Sequence, residues 1–263
     1  MPQIDANGIA IRYQLDGPAD APVVLFSNSL GTRLEMWDPQ MPALTQRYRA
    51  LRYDSRGHGE SAAPEGPYSI ELLAADAIGL LDALGVGRAH FCGLSKGGMV
   101  GQVLGAQHGD RLISLTLCST ACHMEAKQLW DERIKVAQEQ GMAALADAVV
   151  ERWFTEAFRA EPSILVERVR QMILDTPAHG YAACCAAIRD MDLREAITAI
   201  RVPTQILVGA DDPATPPAKA EEIHERISGS RLEVIPDAAH LLNIEQDVAF
   251  DASLRSFLDR HSH

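Results

Sequence analysis

A run of apolar residues that stops at a glycine, followed by a serine caught between glycines, constrains this chain more than any other feature. Residues 89–98 read AHFCGLSKGG. This is a buried strand, then Gly93-Leu94-Ser95-Lys96-Gly97 in the pattern GxSxG, then a helix that carries the chain to about Arg111. A strand that turns so abruptly into a helix strains the serine backbone and leaves no room for a Cβ on its neighbours, which is why glycines flank it. The hydroxyl then projects from the end of a sheet, where a nucleophile is useful. The plainer alternative makes Ser95 a helix N-cap with glycines that merely ease packing.

An elbow of this kind needs a parallel sheet around it. Residues 9–15 (IAIRYQL) alternate as a half-buried strand does, and Val23–Phe26 reads as a fully buried one. Further runs at 49–54, 89–95, 112–119, 204–210 and 231–236 read as buried strands, and 69–85 repeats its apolar residues at helical spacing until Gly85 stops it. Strand, helix, strand is a parallel crossover, so the fold class is α/β with a mostly parallel, doubly wound sheet. Between the halves, residues 123–190 carry only helical patterns such as AALADAVVERWF and SILVERVRQMIL. The expected organisation is a core from residues 1–122 and 191–263, with 123–190 inserted as a helical cap.

The 263 residues are 47% hydrophobic and 23% charged, enough to bury a substantial core. Their formal charge of −12 repels phosphate backbones and anionic lipid, making nucleic acid and membranes poor partners. It does not forbid a small anionic substrate, because a few cations in a pocket outweigh distant charges screened over roughly 8–10 Å. The five cysteines show no metal-ligand spacing, the N-terminus reads as no signal peptide, and no apolar run reaches about 18 residues. A reducing cytoplasm and no metal are the expectation; the oligomeric state is left open.

Serine needs a base, and with GxSxG the acid and then the histidine follow it in chain order. His224 sits in the solvent-facing pattern AKAEEIHERI, and His261 and His263 lie in the C-terminal tail. His240, in PDAAHLLNIEQ between a strand and the last helix, is the base candidate. The orienting acid comes from ILVGADDPATPP, which offers Asp211 and Asp212. Two oxyanion donors are also needed. The backbone NH of Lys96 supplies one, and that of Leu30, in SNSLGT after an earlier strand, the other. Asp54 and Arg56 in YDSRGHGES read as loop-ordering residues, and His58 and Ser61 have no separate assignment.

The whole pattern resembles the α/β-hydrolase superfamily and, more closely, the 3-oxoadipate enol-lactonases of the β-ketoadipate pathway. SNSLGTRLEMWDPQ, RYDSRGHGES, GLSKGGMVGQ, AKQLWDERI, RWFTEAF, GYAACCAAIRDMDLR and GADDPATPP carry the closer likeness. The resemblance implies an α/β-hydrolase fold and a Ser95, Asp212, His240 triad, the acid being the Asp of GxxD. It also implies hydrolysis of an enol-lactone in aromatic catabolism and no cofactor. Such a substrate carries a carboxylate, for which Arg133, Arg189 and Lys96 are candidate partners. Trp130 is a candidate pocket side chain, although it and Trp153 read first as core. The Lys96 ammonium either meets a cap or surface carboxylate or adds positive potential for the substrate. Competing readings are a general carboxylesterase, a cofactor-free perhydrolase, and a binding protein that kept the fold. The intact set of Ser95, Asp212 and His240 argues for an enzyme.

Overall fold

A computed structural model of the chain describes residues 2–160 and 163–262; His263 lies outside them. Eight strands form one sheet: β1 (Gln3–Ala6), β2 (Ile9–Asp16), β3 (Val23–Ser27), β4 (Arg49–Tyr53), β5 (Ala89–Leu94), β6 (Leu112–Cys118), β7 (Thr204–Gly209) and β8 (Arg231–Ile235). Their order across the sheet is β1-β2-β4-β3-β5-β6-β7-β8. β1 and β2 pair antiparallel, as do β2 and β4, and every other neighbour is parallel. The sheet is thus mostly parallel and doubly wound, as the buried runs required.

Two strands depart from the sequence reading. β1 carries too few residues to show a period, but the pairing Ala6↔Ile9 closes a hairpin over Asn7 (φ 49°) and Gly8 (φ 77°). Asn-Gly is the pair that a two-residue turn with both φ positive selects, so the signal was present in the dipeptide. β8 reads as buried, yet it is an edge strand paired only with β7, and Ile235 is its one buried side chain.

Chain order sets where a ligand fits. From β3 the chain crosses to β4 on one side, and it returns as β5 on the other side of β3. Connections that leave adjacent strands in opposite directions open a crevice at the carboxyl ends, the usual ligand position in an open α/β sheet. The segment Asn28–Thr32 leaves β3 there and Ser95 leaves β5.

The helices α1 (Ile70–Ala83) and α2 (Lys96–Gln107) connect strands of the first half. Ser69 caps α1 by accepting from Leu72 N. Between β6 and β7 come α3 (Lys127–Gln140), α4 (Ala143–Trp153), α5 (Glu156–Ala160), α6 (Ile164–Asp175) and α7 (Ala178–Asp190), and among the described residues this stretch contributes no strand to the sheet. Its ends meet: Leu193 N donates to Cys122 O at 2.8 Å, and His123 bridges Asp192. α8 (Pro217–Arg226) and α9 (Asp247–His261) complete the second half.

Close backbone packing fixes the elbow. Ser95 has φ 56° and ψ −113°, outside the regions open to most L-residues. A Cβ on Gly97 would overlap the carbonyl of Ser27 at the end of β3, and one on Gly93 would overlap the carbonyl of Gly97. Gly97→Ala is therefore expected to lower the unfolding free energy by about 1–3 kcal/mol, the cost of overpacking against an unyielding neighbour. A fall in the urea midpoint at unchanged slope checks it.

Candidate active site

Above the crevice lies a cavity of about 230 Å³ whose lining includes Ser29, Leu30, Ser95, Met99, Trp130, Arg133, Arg152, Trp153, Thr215 and His240. A cavity of this size suits a small organic molecule.

Asp212 follows β7 and is almost fully buried behind His240. Its Oδ1 accepts from the amides of Ala214 (2.8 Å) and Thr215 (3.0 Å). Its Oδ2 accepts from Thr215 Oγ1 (2.8 Å) and His240 Nδ1 (2.8 Å). A carboxylate with these donors assigns the ring proton to Nδ1 and leaves Nε2 as the free lone pair. Burial pushes the Asp212 carboxyl up, but the charge and hydrogen bond of His240, with the Thr215 bonds, outweigh it and hold it below the usual aspartate value. Asp211, the alternative acid, is exposed and lines a different groove beside Asp237 and Glu245.

The loop carrying His240 is tied to the helical segment above it. Leu241 N donates to Trp153 O (3.1 Å), and the Trp153 ring lies tilted over the imidazole with centroids 5.9 Å apart. Glu245 is the brace: one oxygen accepts from Ala239 N (2.8 Å), the other from Thr155 N (3.0 Å) and Thr155 Oγ1.

The second wall is the turn after β3. Thr32 N donates to Ser29 O (3.3 Å) across Leu30 and Gly31, and Gly31 takes the φ of 78° that a type II turn demands at its third position. Asn28 anchors the approach, donating to Tyr53 O (2.7 Å), accepting from Trp37 Nε1 (3.0 Å) and receiving Gly97 N (3.1 Å) at its carbonyl. The amides of Leu30 and Lys96 have no hydrogen-bond partner among the described residues. Lys96 is the first residue of α2, where the amide faces outward unpaired. The buried Ser29 hydroxyl likewise has no partner.

Sequence-based candidates for binding a carboxylate sort clearly. Arg133 and Trp130 on α3 line the cavity, with the guanidinium 5.3 Å from the Trp130 ring and 6.0 Å from the Tyr181 ring. Arg189 does not: its guanidinium is held by Asp131 (2.6 Å) and Asp190 (2.8 Å) on the surface. For the Lys96 side chain the expectation of a carboxylate partner is corrected. It is 1% exposed, is absent from the cavity lining, and its Nζ meets no carboxylate or other partner among the described residues. Burial lowers its pKa, against weak support from Cys184, Asp76 and Asp54.

Sequence reading missed Arg152, at the end of α4. With Arg133 it gives the cavity two guanidiniums, neither within salt-bridge range of an acid among the described residues. Arg152 is solvent-exposed at the edge of the cavity, where partial desolvation and the positive charge of Arg133 lower its pKa. Its signal was the WxxR of Trp130 and Arg133 answered by Arg152-Trp153, visible only once α3 and α4 are folded together. Trp153 reads first as core, and it is buried, but its ring also faces the cavity. Arg56, as read, orders its loop, through a buried pair with Asp76 (2.6 Å) on α1; Asp54 instead takes Arg12 (3.1 Å) and the amides of Leu34 and Glu60. No cluster of His, Cys, Asp or Glu suited to a metal occurs among the described residues.

This geometry agrees with comparison to known proteins. A family model described as alpha/beta hydrolase fold matches residues 22–247. The chain belongs to the α/β-hydrolase family. Two relatives in Acinetobacter baylyi are named 3-oxoadipate enol-lactonase 2 and 3-oxoadipate enol-lactonase 1. The first is 37% identical over 98% of this chain and 96% of its own length. The second is 39% identical over 93% and 91%. The crystal structure of the enol-lactonase from Burkholderia xenovorans LB400 superposes with a TM-score of 0.96 at 43% identity, covering 98% of this chain and all of that one.

Because its carboxyl is held below the ordinary range, Asp212 contributes stability that is present above that range and lost as pH falls through the lower folded-state value. In Asp212→Asn that contribution is gone, so the variant should lose stability less steeply between about pH 5 and pH 2. Thermal midpoints across that window check the slope.

Proposed function

We propose that the protein is a serine hydrolase opening the enol-lactone of 3-oxoadipate to 3-oxoadipate. The observation that carries this reading is the combination, in one small cavity, of Ser95 and His240 with two guanidiniums that make no salt bridge among the described residues. A nucleophile and base alone would suit any ester. Two cations without a salt bridge among the described residues favour an anionic one, and the relatives' names supply a lactone with a carboxylate. Residues 123–190 act in this reading as a cap that brings Trp130, Arg133 and Arg152 over a core of 1–122 and 191–263.

The chemistry follows from the positions. His240 Nε2 takes the Ser95 proton as Oγ attacks the lactone carbonyl, and Asp212 holds the imidazolium that forms. The carbonyl oxygen becomes negative against the amides of Leu30 and Lys96. Collapse breaks the bond to the ring oxygen; His240 returns its proton to that oxygen, and the enol, still part of the acyl chain bound to Ser95, tautomerises to the ketone. A water deprotonated by His240 then attacks the acyl-enzyme, and Ser95 regains its proton. Every atom comes from lactone and water, so the steps need no cofactor. The departing enol is a good leaving group, which leaves substrate placement as the protein's harder task. No helix among the described residues is long and apolar enough to cross a membrane. All five cysteines are buried free thiols. That suits the cytoplasm, where this proposal sets the enzyme.

Wild-type protein should consume the enol-lactone, followed by loss of its ultraviolet absorbance, and Ser95→Ala should lose at least about 10³-fold in kcat, as removal of a triad nucleophile does. Efficient turnover of neutral aryl esters without turnover of the lactone would overturn the reading in favour of a general esterase. Arg133→Met and Arg152→Met should each raise KM for the lactone about tenfold, the loss of roughly 1.4 kcal/mol per charge-assisted contact, and leave KM for a neutral aryl acetate within about twofold.

A further inference from the structure

His58 is unexplained by the chemistry above. It lies on the loop after β4 between two glycines of positive φ, and its ring is fully buried. Gly31 N donates to His58 Nε2 at 2.8 Å, and Nδ1 stands 3.2 Å from Arg56 O. An amide can only donate and a carbonyl can only accept. Both contacts are made together only by a neutral ring whose proton is on Nδ1.

The Gly31 amide belongs to the central peptide of the Ser29–Thr32 turn. Holding that amide fixes the plane of the Leu30–Gly31 peptide, which adjoins the Ser29–Leu30 peptide that carries the Leu30 amide, and Leu30 lines the cavity. Thr176 Oγ1 holds the other side of the turn by donating to Gly31 O (3.3 Å). We propose that His58 is a positioning residue for the oxyanion turn, its neutral ring clamping the Gly31 amide so that Leu30 N–H points at the reacting carbonyl. The proposal rests on the reading of Leu30 as an oxyanion donor.

The surroundings keep the ring in that form. The ammonium of Lys96, at the start of α2, is buried with no partner among the described residues, and burial together with its positive charge holds His58 well below the usual histidine range. The other ionisable neighbours offer no competing proton. Arg56 is committed to Asp76, Asp54 to Arg12, and Cys184 on α7 is a buried thiol whose Sγ lies 3.8 Å from Arg56 O. A protonated ring would lose its acceptor for Gly31 and set a second cation beside Lys96. The lysine after the nucleophile thus serves through its amide on one side and its charge on the other.

Two measurements test this. With ¹⁵N-labelled histidine, His58 should appear as the neutral Nδ1–H tautomer and stay so from about pH 5 to about pH 8, where an ordinary histidine titrates; an Nε2–H tautomer or titration in that range overturns the proposal. In kinetics on an activated aryl acetate, His58→Phe should lose about 10- to 100-fold in kcat with KM within about twofold, a part of what deleting an oxyanion donor costs. Labelling of Ser95 by a fluorophosphonate should slow in parallel. His58→Gln, whose Oε1 can accept at similar reach, should recover most of the rate. Full activity in His58→Phe, or His58→Gln as slow as His58→Phe, overturns the role. Should His58→Phe not fold, the tautomer and the His58→Gln rate still decide. The aryl acetate keeps the outcome separate from whether the enol-lactone is the substrate.

Discussion

Everything at the site depends on the left-handed backbone at Ser95, at the end of the central strand β5. That conformation is unfavourable by roughly 1–3 kcal/mol and persists only where the surroundings over-determine it. They do so here through backbone contacts: Ser95 N donates to Cys118 O (2.9 Å), Thr120 Oγ1 donates to Ser95 O (2.8 Å), and Gly97 lies against Ser27 O. The first two engage the end of β6 and the third the end of β3. The Gly97 contact brings α2 onto the end of β3, and this closeness places the Asn28–Thr32 turn opposite the serine. The turn is a consequence of the elbow as much as a neighbour of it.

Beneath that turn lies an unusually polar interior. Asp54 serves Arg12 and two amides, Asp76 serves Arg56, and Asn28 satisfies three groups. Buried ion pairs of this kind are weak contributors to stability compared with apolar packing, but each is costly to break, so they fix loops in one arrangement. Loops that hold amides toward a cavity need that single arrangement more than they need extra stability.

Much of this was legible in the sequence, because the relevant signals are local. GxSxG after an apolar run located the sharp turn at Ser95, and loops after successive strands located Leu30, His240 and the Asp211-Asp212 pair, of which the family resemblance picked Asp212, since strand ends share one edge of a parallel sheet. What the sequence did not disclose depends on which face of a helix meets which neighbour. Arg133, Arg152 and Arg189 look alike as letters, yet Asp131 and Asp190 neutralise one and leave two at the cavity. The Lys96 ammonium misled for the same reason: its place beside Ser95 suggested the cavity, whereas helix geometry turns it inward beside His58. β8 reads as a buried run, but a short apolar run does not distinguish an edge from a centre.

The brace at Glu245 bears on how such proteins can be recombined. The helical segment enters and leaves the core at one point, Cys122 to Leu193, and so looks like a cassette that could be exchanged between relatives. Its Trp153 carbonyl and Thr155 amide and hydroxyl are, however, bonded to the loop and helix that present His240. An exchange that respects only the entry points would sever those bonds and leave the Glu245 carboxylate half satisfied. Modularity here is bounded by bonds such as these, and the unit of exchange has to include the histidine loop that the segment holds.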